Sequence, residues 1–169
     1  YLCGDPTPDV YGGFGTSMVL GAFDISMQFS YSVGGLVYDS GYASLMSPPG
    51  TSTGTNIHRN MLFAWTPENK EAPIPRFQYL DENIAAQSDR FLTDASFLNF
   101  QSAQVGYTLP RSLTERFNVS RMRIYVLCDN IHYWSARKGL DPRYSFTGTT
   151  NYAVNSPVRT LSGGLSITF

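Results

Sequence analysis

Two cysteines, two histidines and a few carboxylates are the residues of this chain that could do chemistry, and their spacing limits what they can do. Cys3 and Cys128 lie near opposite ends of the sequence and make neither a CxxC metal knuckle nor a disulfide framework. His58 and His132 are also far apart, and neither belongs to an HExxH motif. Cys128 and His132 share one side of an extended segment, but four residues of extended chain set them about 13 Å apart, too far for one ion. Gly13-Phe14-Gly15-Thr16-Ser17-Met18 begins like a dinucleotide fingerprint and lacks both the third glycine and the helix. Asp81-Glu82 sits in a polar stretch and reads as solvated charge. No catalytic constellation, metal site or cofactor follows from these residues.

Binding chemistry is better supplied. Trp65, Trp134, Asp141, Arg143 and Tyr144 place aromatic rings beside polar groups, an arrangement that suits sugar or peptide recognition. Packing within a loop accounts for each of them equally well, and Trp65, followed by Thr66-Pro67, reads as an anchor. Arg121, Arg123 and Asp129 are charges on the polar side of an alternating segment, where pairing across the structure is the first expectation.

The elements that must position these groups are strands. Charged residues make up only 15% of the chain, against about 25% in ordinary soluble domains, while Tyr and Phe number 11 each. A net charge of −1 implies no basic face for nucleic acid. No run of about 18 apolar residues occurs, which excludes a transmembrane helix. No charged-then-apolar leader is visible either, so a targeting segment would lie outside this chain.

Five segments alternate polar and apolar residues, at about 12-20, 22-38, 92-109, 120-134 and 159-169. From Phe23 to Val33 the alternation has no exception, and a helix would scatter those apolar residues around its circumference. In the third segment Leu98 and Phe100 share one parity while Ala103, Val105, Tyr107 and Leu109 share the other. One extra residue near Gln101 and Ser102, a β-bulge, would reconcile them. The connections run short, long, short, long: Gly21-Ala22, about 39-91, a piece around LPRSLTERFNVS, and about 135-158. In the third, Ser112 with Glu115 offers a capping box for one helical turn.

In an antiparallel meander this order puts all short turns at one end and all long loops at the other, as in outer-membrane barrels. Strands of about ten residues suit a bilayer. A soluble, carbohydrate-binding β-sandwich also alternates, but the polar parity here is Ser, Thr, Gln and Gly rather than Lys and Glu. Five strands fall short of the roughly eight in the smallest membrane barrel, so the chain is expected to be a piece of a larger protein. Asn118-Val119-Ser120 matches a glycosylation sequon but falls on the short-turn side, where it has no use.

GDPTPDVYGGF, AFDISMQFSYSVGG, DASFLNFQSAQVGYTLPRSL, RIYV followed by Asp129-Asn130 and Trp134, KGLDPR and a final strand ending in Phe169 occur in that order. This series resembles the C-terminal barrel portion of SusC-like TonB-dependent transporters of Bacteroidetes, over essentially the whole chain. Asp94 to Pro110 is its most specific part. Leu127, Cys128 and Asp129 depart from the family's small and polar residues, and Arg143 stands where an acid is common.

The resemblance implies an all-β chain supplying five antiparallel strands of a roughly 22-stranded transmembrane barrel with long extracellular loops. It implies the bacterial outer membrane, with lipid and the remainder of the barrel as neighbours. Further partners would be a SusD-like surface lipoprotein and, through an absent N-terminal plug and TonB box, the TonB complex. The cargo would be an oligosaccharide or a peptide, and the protein would not be an enzyme. The loop residues Trp65, Trp134, Asp141, Arg143 and Tyr144 would touch substrate or lid, and Leu165, Ile167 and Phe169 would form the barrel assembly signal. A passive porin would share the wall without plug, lid or energy coupling.

Overall fold

Alternation along Phe23–Val33 puts Phe23, Ile25, Met27, Phe29, Tyr31 and Val33 on one side of a strand, and the neighbouring strands answer Phe23, Ile25 and Phe29 with apolar or aromatic residues on both sides. The computed structural model describes residues 3–47, 56–78, 81, 84, 86–144 and 157–169. Its strands are β1 (Val10–Leu20), β2 (Phe23–Val33), β3 (Leu36–Tyr38), β4 (Leu92–Asp94), β5 (Phe97–Thr108), β6 (Arg121–Ser135) and β7 (Thr160–Thr168). Five of them form one antiparallel sheet in the order β1-β2-β5-β6-β7, and β3-β4 form a second, two-stranded one.

The register builds continuous rows. Leu20, Phe23, Tyr107, Ile124 and Leu165 lie side by side, as do Met18, Ile25, Val105, Val126 and Gly163. One row up the face from Thr16, Met27, Ala103 and Cys128 stand Phe14, Phe29, Phe100 and His132, with Phe29 stacked on both Phe14 and Phe100 at 4.9 and 4.5 Å. This apolar face carries no second layer among the described residues: Ile124 and Leu165 remain 49% and 56% exposed. The other face is polar, with rows such as Ser17, Ser26, Gln104, Leu127 and Ser162.

The extra residue in β5 is Gln101, skipped between the pairs Gln28↔Ser102 and Phe29↔Phe100. A second irregularity lies beside it. β6 passes two residues, Asn130 and Ile131, where β5 passes one, and Asn130 takes a left-handed φ of 52°. Arg159, just before β7, donates to the Ile131 carbonyl through Nε at 3.1 Å and so braces that bulge.

Two expected strands are each divided. The run 22-38 breaks at Gly34-Gly35, whose φ values of 83° and 80° no ladder can use, and the run 92-109 breaks at Ala95-Ser96. Beyond those breaks β3 and β4 pair with each other alone and open into a folded module. Asp39 caps the helix α1 (Ser40–Leu45) by accepting the Tyr42 N–H at 2.8 Å. A 3-10 turn follows at Arg59–Phe63. Ala43, Met46, Met61, Ala64, Ile84 and Phe91 pack together there, flanked by Tyr38, Tyr42 and Ile74. Among the described residues, the buried hydrophobic cluster thus sits in the first long connection and not on the sheet.

At the opposite end the chain turns tightly at Gly21 (φ 63°) between β1 and β2. The piece between β5 and β6 forms a short helix α2 (Arg111–Thr114) whose N-cap is Pro110, with no side-chain cap bond. The expected Ser112 capping box is not formed. The helix starts one residue before Ser112, because Pro110 already supplies an extended residue that needs no N–H.

Candidate functional site

The polar face and the loops above it carry the groups that can act. Near the tight-turn end, Arg123 of β6 reaches across β5 to Asp24 of β2, its Nε donating to Oδ1 at 2.9 Å. Gly106 lies beneath the bridge, where any side chain would meet both partners. The Arg123 guanidinium also stands 5.0 Å from the Tyr125 ring centroid, and Tyr125 in turn lies over Gly164. Small residues on this face make room for long side chains of the next strand.

At the long-loop end the polar face gathers a denser cluster. Arg143 grips Asp141 through Nε and Nη2 at 2.7 and 2.5 Å, both side chains being nearly buried. Its Nη1 donates to Asn99 Oδ1 at 2.9 Å, and its guanidinium stands 4.7 Å from the Tyr133 ring centroid. Asn99, 6% exposed, passes the network on by donating to Ser30 Oγ at 3.3 Å. Six residues earlier, Arg137 pairs with Asp39 at 3.0 Å and lies 3.4 Å from the Tyr42 ring centroid. Ser135 fixes the turn between them, its Oγ lying 3.0 and 2.9 Å from the Arg137 and Leu140 carbonyls, which share its single proton, while Gly139 supplies a φ of 88°.

The joint between the two sheets is hydrogen-bonded by side chains. Asp94 Oδ1 accepts from the Ser96 N–H and hydroxyl at 2.8 and 2.5 Å, and Ser96 Oγ accepts the Gly34 N–H at 2.9 Å. Residues before β1 cross this joint: the Leu36 N–H donates to the Asp5 carbonyl at 2.9 Å. The Thr7 backbone N–H holds the Asp5 carboxyl below the usual carboxylate range. Within the module, burial pushes the Tyr38 phenol up, with Arg90 opposing it.

The residues singled out by sequence fall into different places. Asp141 and Arg143 come together as the clamp just described. Trp65 lies in the module, its N–H donating to the Ile74 carbonyl at 2.9 Å. Trp134 is inside β6 on the apolar face, opposite Leu98 and edge-on to His132 at 4.6 Å. That position puts it outside the cluster of the polar face. Tyr144 ends a 3-10 turn at Pro142–Tyr144, and its side chain, like Glu82, lies outside the described residues. Leu165 and Ile167 lie on the apolar face of β7, with Phe169 just beyond it. Cys128 stands on the apolar face between Ala103 and Leu161 and is not joined to Cys3. Asp39, Asn99, Tyr133 and Arg137 were not foreseen; the polar parity of Asn99 and Tyr133 was the one available signal.

No family model matches the chain. TonB-dependent receptor P3 of Formosa agariphila is 28% identical over 178 residues, which is 99% of this chain and 17% of the receptor. TonB-dependent receptor P26 of the same organism is 24% identical over 177 residues, covering 99% of this chain and 18% of the receptor. The solved RagAB peptide transporter superposes with a TM-score of 0.81 at 26% identity, over 97% of this chain and 18% of that one. Over the whole of its sheet the chain resembles part of a SusC-like TonB-dependent transporter barrel. The RagAB importer in its closed-closed state matches with a TM-score of 0.79 at 24% identity, over 96% of this chain and 17% of that chain. The chain spans less than a fifth of the length of the relatives it matches. On it, the uncovered rows of Phe, Ile, Leu and Val form one surface, and the Asp24–Arg123 and Asp141–Arg143 pairs lie on the other.

Proposed function

We propose that the chain is part of a bacterial outer-membrane importer that takes up oligosaccharides or peptides with energy from the TonB complex, beneath a SusD-like surface lipoprotein. The carrying observation is the division of the sheet into an uncovered apolar face and a polar face crossed by an ion pair. A bilayer on one side and a wet or plugged lumen on the other would make both faces stable. The edges of β1 and β7 would pair with the remainder of the barrel, because an open edge in hydrocarbon leaves N–H and C=O groups unsatisfied.

In this reading the strands supply wall, and the module with the Arg143 cluster supplies part of the extracellular mouth. Trp65, Asp141, Arg143 and Tyr144 would shape the mouth where cargo or lid is held, the Asp141–Arg143 pair by positioning more than by direct contact. Trp134 would anchor the wall at the membrane interface. The apolar side of β7, with Leu165, Ile167 and then Phe169, would serve as the assembly signal.

Membrane fractionation and uptake assays on the full-length protein test this. The protein should sediment with the outer membrane, require detergent for extraction and import labelled oligosaccharide or peptide only while the proton gradient is intact. Recovery without detergent would restore the carbohydrate-binding sandwich. Uptake that survives collapse of the gradient would restore the passive porin.

A further inference from the structure

We propose that Arg159 and His132 bind the phosphate of an outer-leaflet glycolipid on the apolar side of the sheet, at its long-loop end. The assignment rests on the membrane reading of that side. Arg159 immediately precedes β7, and the next residue, Thr160, pairs with Asp129 of the polar side. Alternation therefore assigns Arg159 to the apolar side. His132 stands on that side too, in the row of Phe14, Phe29 and Phe100. The bulge in β6 brings the two together. Arg159 donates through Nε and Nη2, at 3.1 and 2.6 Å, to the carbonyl of Ile131, whose peptide unit leads into His132. Asn130 Nδ2 donates to the Val158 carbonyl at 3.3 Å and holds the same approach of the chain.

This pair of nitrogen bases has no counter-charge. Apart from His132, the paired rows of the apolar side contain no Asp, Glu, Lys, Arg or His. The stretch 145–158, which leads into Arg159, contains no carboxylate either. Among the described residues neither Arg159 nor His132 forms an ion pair, and both are exposed. Arg159 uses two of its five N–H groups on the Ile131 carbonyl, which leaves three, and His132 adds an imidazole N–H.

Depth and chemistry then select the occupant. An arginine on a face that meets acyl chains is stable only near the headgroups. One row further out stand Tyr31 and Trp134, rings with a polar tip that favour the membrane interface. A cation without a carboxylate at that level is answered by an anion of the lipid, and a guanidinium fork suits phosphate oxygens. Trp134, half exposed and edge-on to His132 at 4.6 Å, offers an indole face to the sugar that carries the phosphate. That combination favours a phosphorylated glycolipid over a glycerophospholipid.

Native mass spectrometry of the full-length protein, extracted from the outer membrane with detergent, tests the site. The probes are phosphorylated lipid A and its enzymatically dephosphorylated form. The parent should bind the phosphorylated lipid roughly tenfold more tightly, as charge-assisted hydrogen bonds allow. His132→Phe keeps a ring against Trp134 and leaves the brace of the bulge in place, and should reduce that preference severalfold. Arg159→Gln should remove most of it. Binding of the dephosphorylated lipid should hold in both variants, whereas a merely structural role of Arg159 would lower both lipids alike and sink the site. A protein that needs no detergent would end the membrane reading and this site with it. A detergent-dependent protein that ignores the phosphate, or variants that keep the parent's preference, would overturn this site alone. So would an equal preference for phosphatidylglycerol over phosphatidylcholine, which would make the occupant a phospholipid.

Discussion

Arg123 and Asp24 meet across an intervening strand, and the residue of that strand directly under their contact is Gly106. The glycine is there for space rather than for conformation, since its φ is not among the positive ones. Gly106→Val should therefore cost about 1–3 kcal/mol by overpacking and force the ion pair apart. Gly163 is the control: a Cβ there would come no nearer than 4.0 Å to any neighbour. The temperature at which the folded barrel loses its compact electrophoretic form should drop for Gly106→Val and hold for Gly163→Ala. Equal behaviour of the two would mean that the bridge does not occupy that space in the membrane.

Adjacent residues of β6 give the sharpest test of sidedness. Val126 lies on the apolar face between Val105 and Gly163, and Leu127 on the polar face between Gln104 and Ser162. An arginine at Val126 should cost about 2–4 kcal/mol if that face meets acyl chains at mid-depth, and one at Leu127 far less. Folding yield into vesicles separates them. If Leu127→Arg proved the worse variant, the faces would have to be exchanged.

The outcome for β5 and β6 shows what alternation can and cannot reveal. One extra residue, Gln101, flips parity, so Phe100 and Ala103 betray the bulge in the sequence itself. The two extra residues in β6, Asn130 and Ile131, restore parity, so Cys128 and His132 continue the apolar side as though nothing lay between them. The faces of the sheet were legible because burial and period act locally. The breaks at Gly34-Gly35 and Ala95-Ser96 were less so, because the alternating pattern runs on across them and only the paired glycines hint at a stop. The loop cluster was legible in part. Asp141 and Arg143 are neighbours in sequence, but Asn99 reaches Arg143, and Asp39 and Tyr42 reach Arg137, only through the fold, by contacts that carry no spacing.

Ser96 offers a narrower test at the joint. Its hydroxyl accepts the Gly34 N–H and donates to Asp94. Ser96→Ala leaves that N–H without its acceptor, a loss of about 1–2 kcal/mol. Amide exchange should quicken at Gly34 and Gly35 and stay slow at the centre of β2. Ser96→Thr, which keeps the hydroxyl, should come close to the parent. Slow exchange at Gly34 in the alanine variant would show that the side chain is not its acceptor.

Arg143 separates geometry from charge. Its fork holds Asp141 by two nitrogens and Asn99 by a third while the plane rests over Tyr133. A lysine keeps the positive charge but cannot satisfy both acceptors in that plane. Arg143→Ala removes both hydrogen bonds that the nearly buried Asp141 carboxylate accepts from it and should cost about 3 kcal/mol locally, whereas Arg143→Lys should fall between alanine and the parent. Protease cleavage near 135–144, timed on the folded protein, reads this order directly, because loss of the Arg143 contacts to Asn99 and Tyr133 exposes the turn that Ser135 and Leu140 now close. If lysine matched arginine, charge alone would hold the segment, and the contacts to Asn99 and Tyr133 would be incidental. If alanine cleaved no faster, the segment would be held by something other than Arg143.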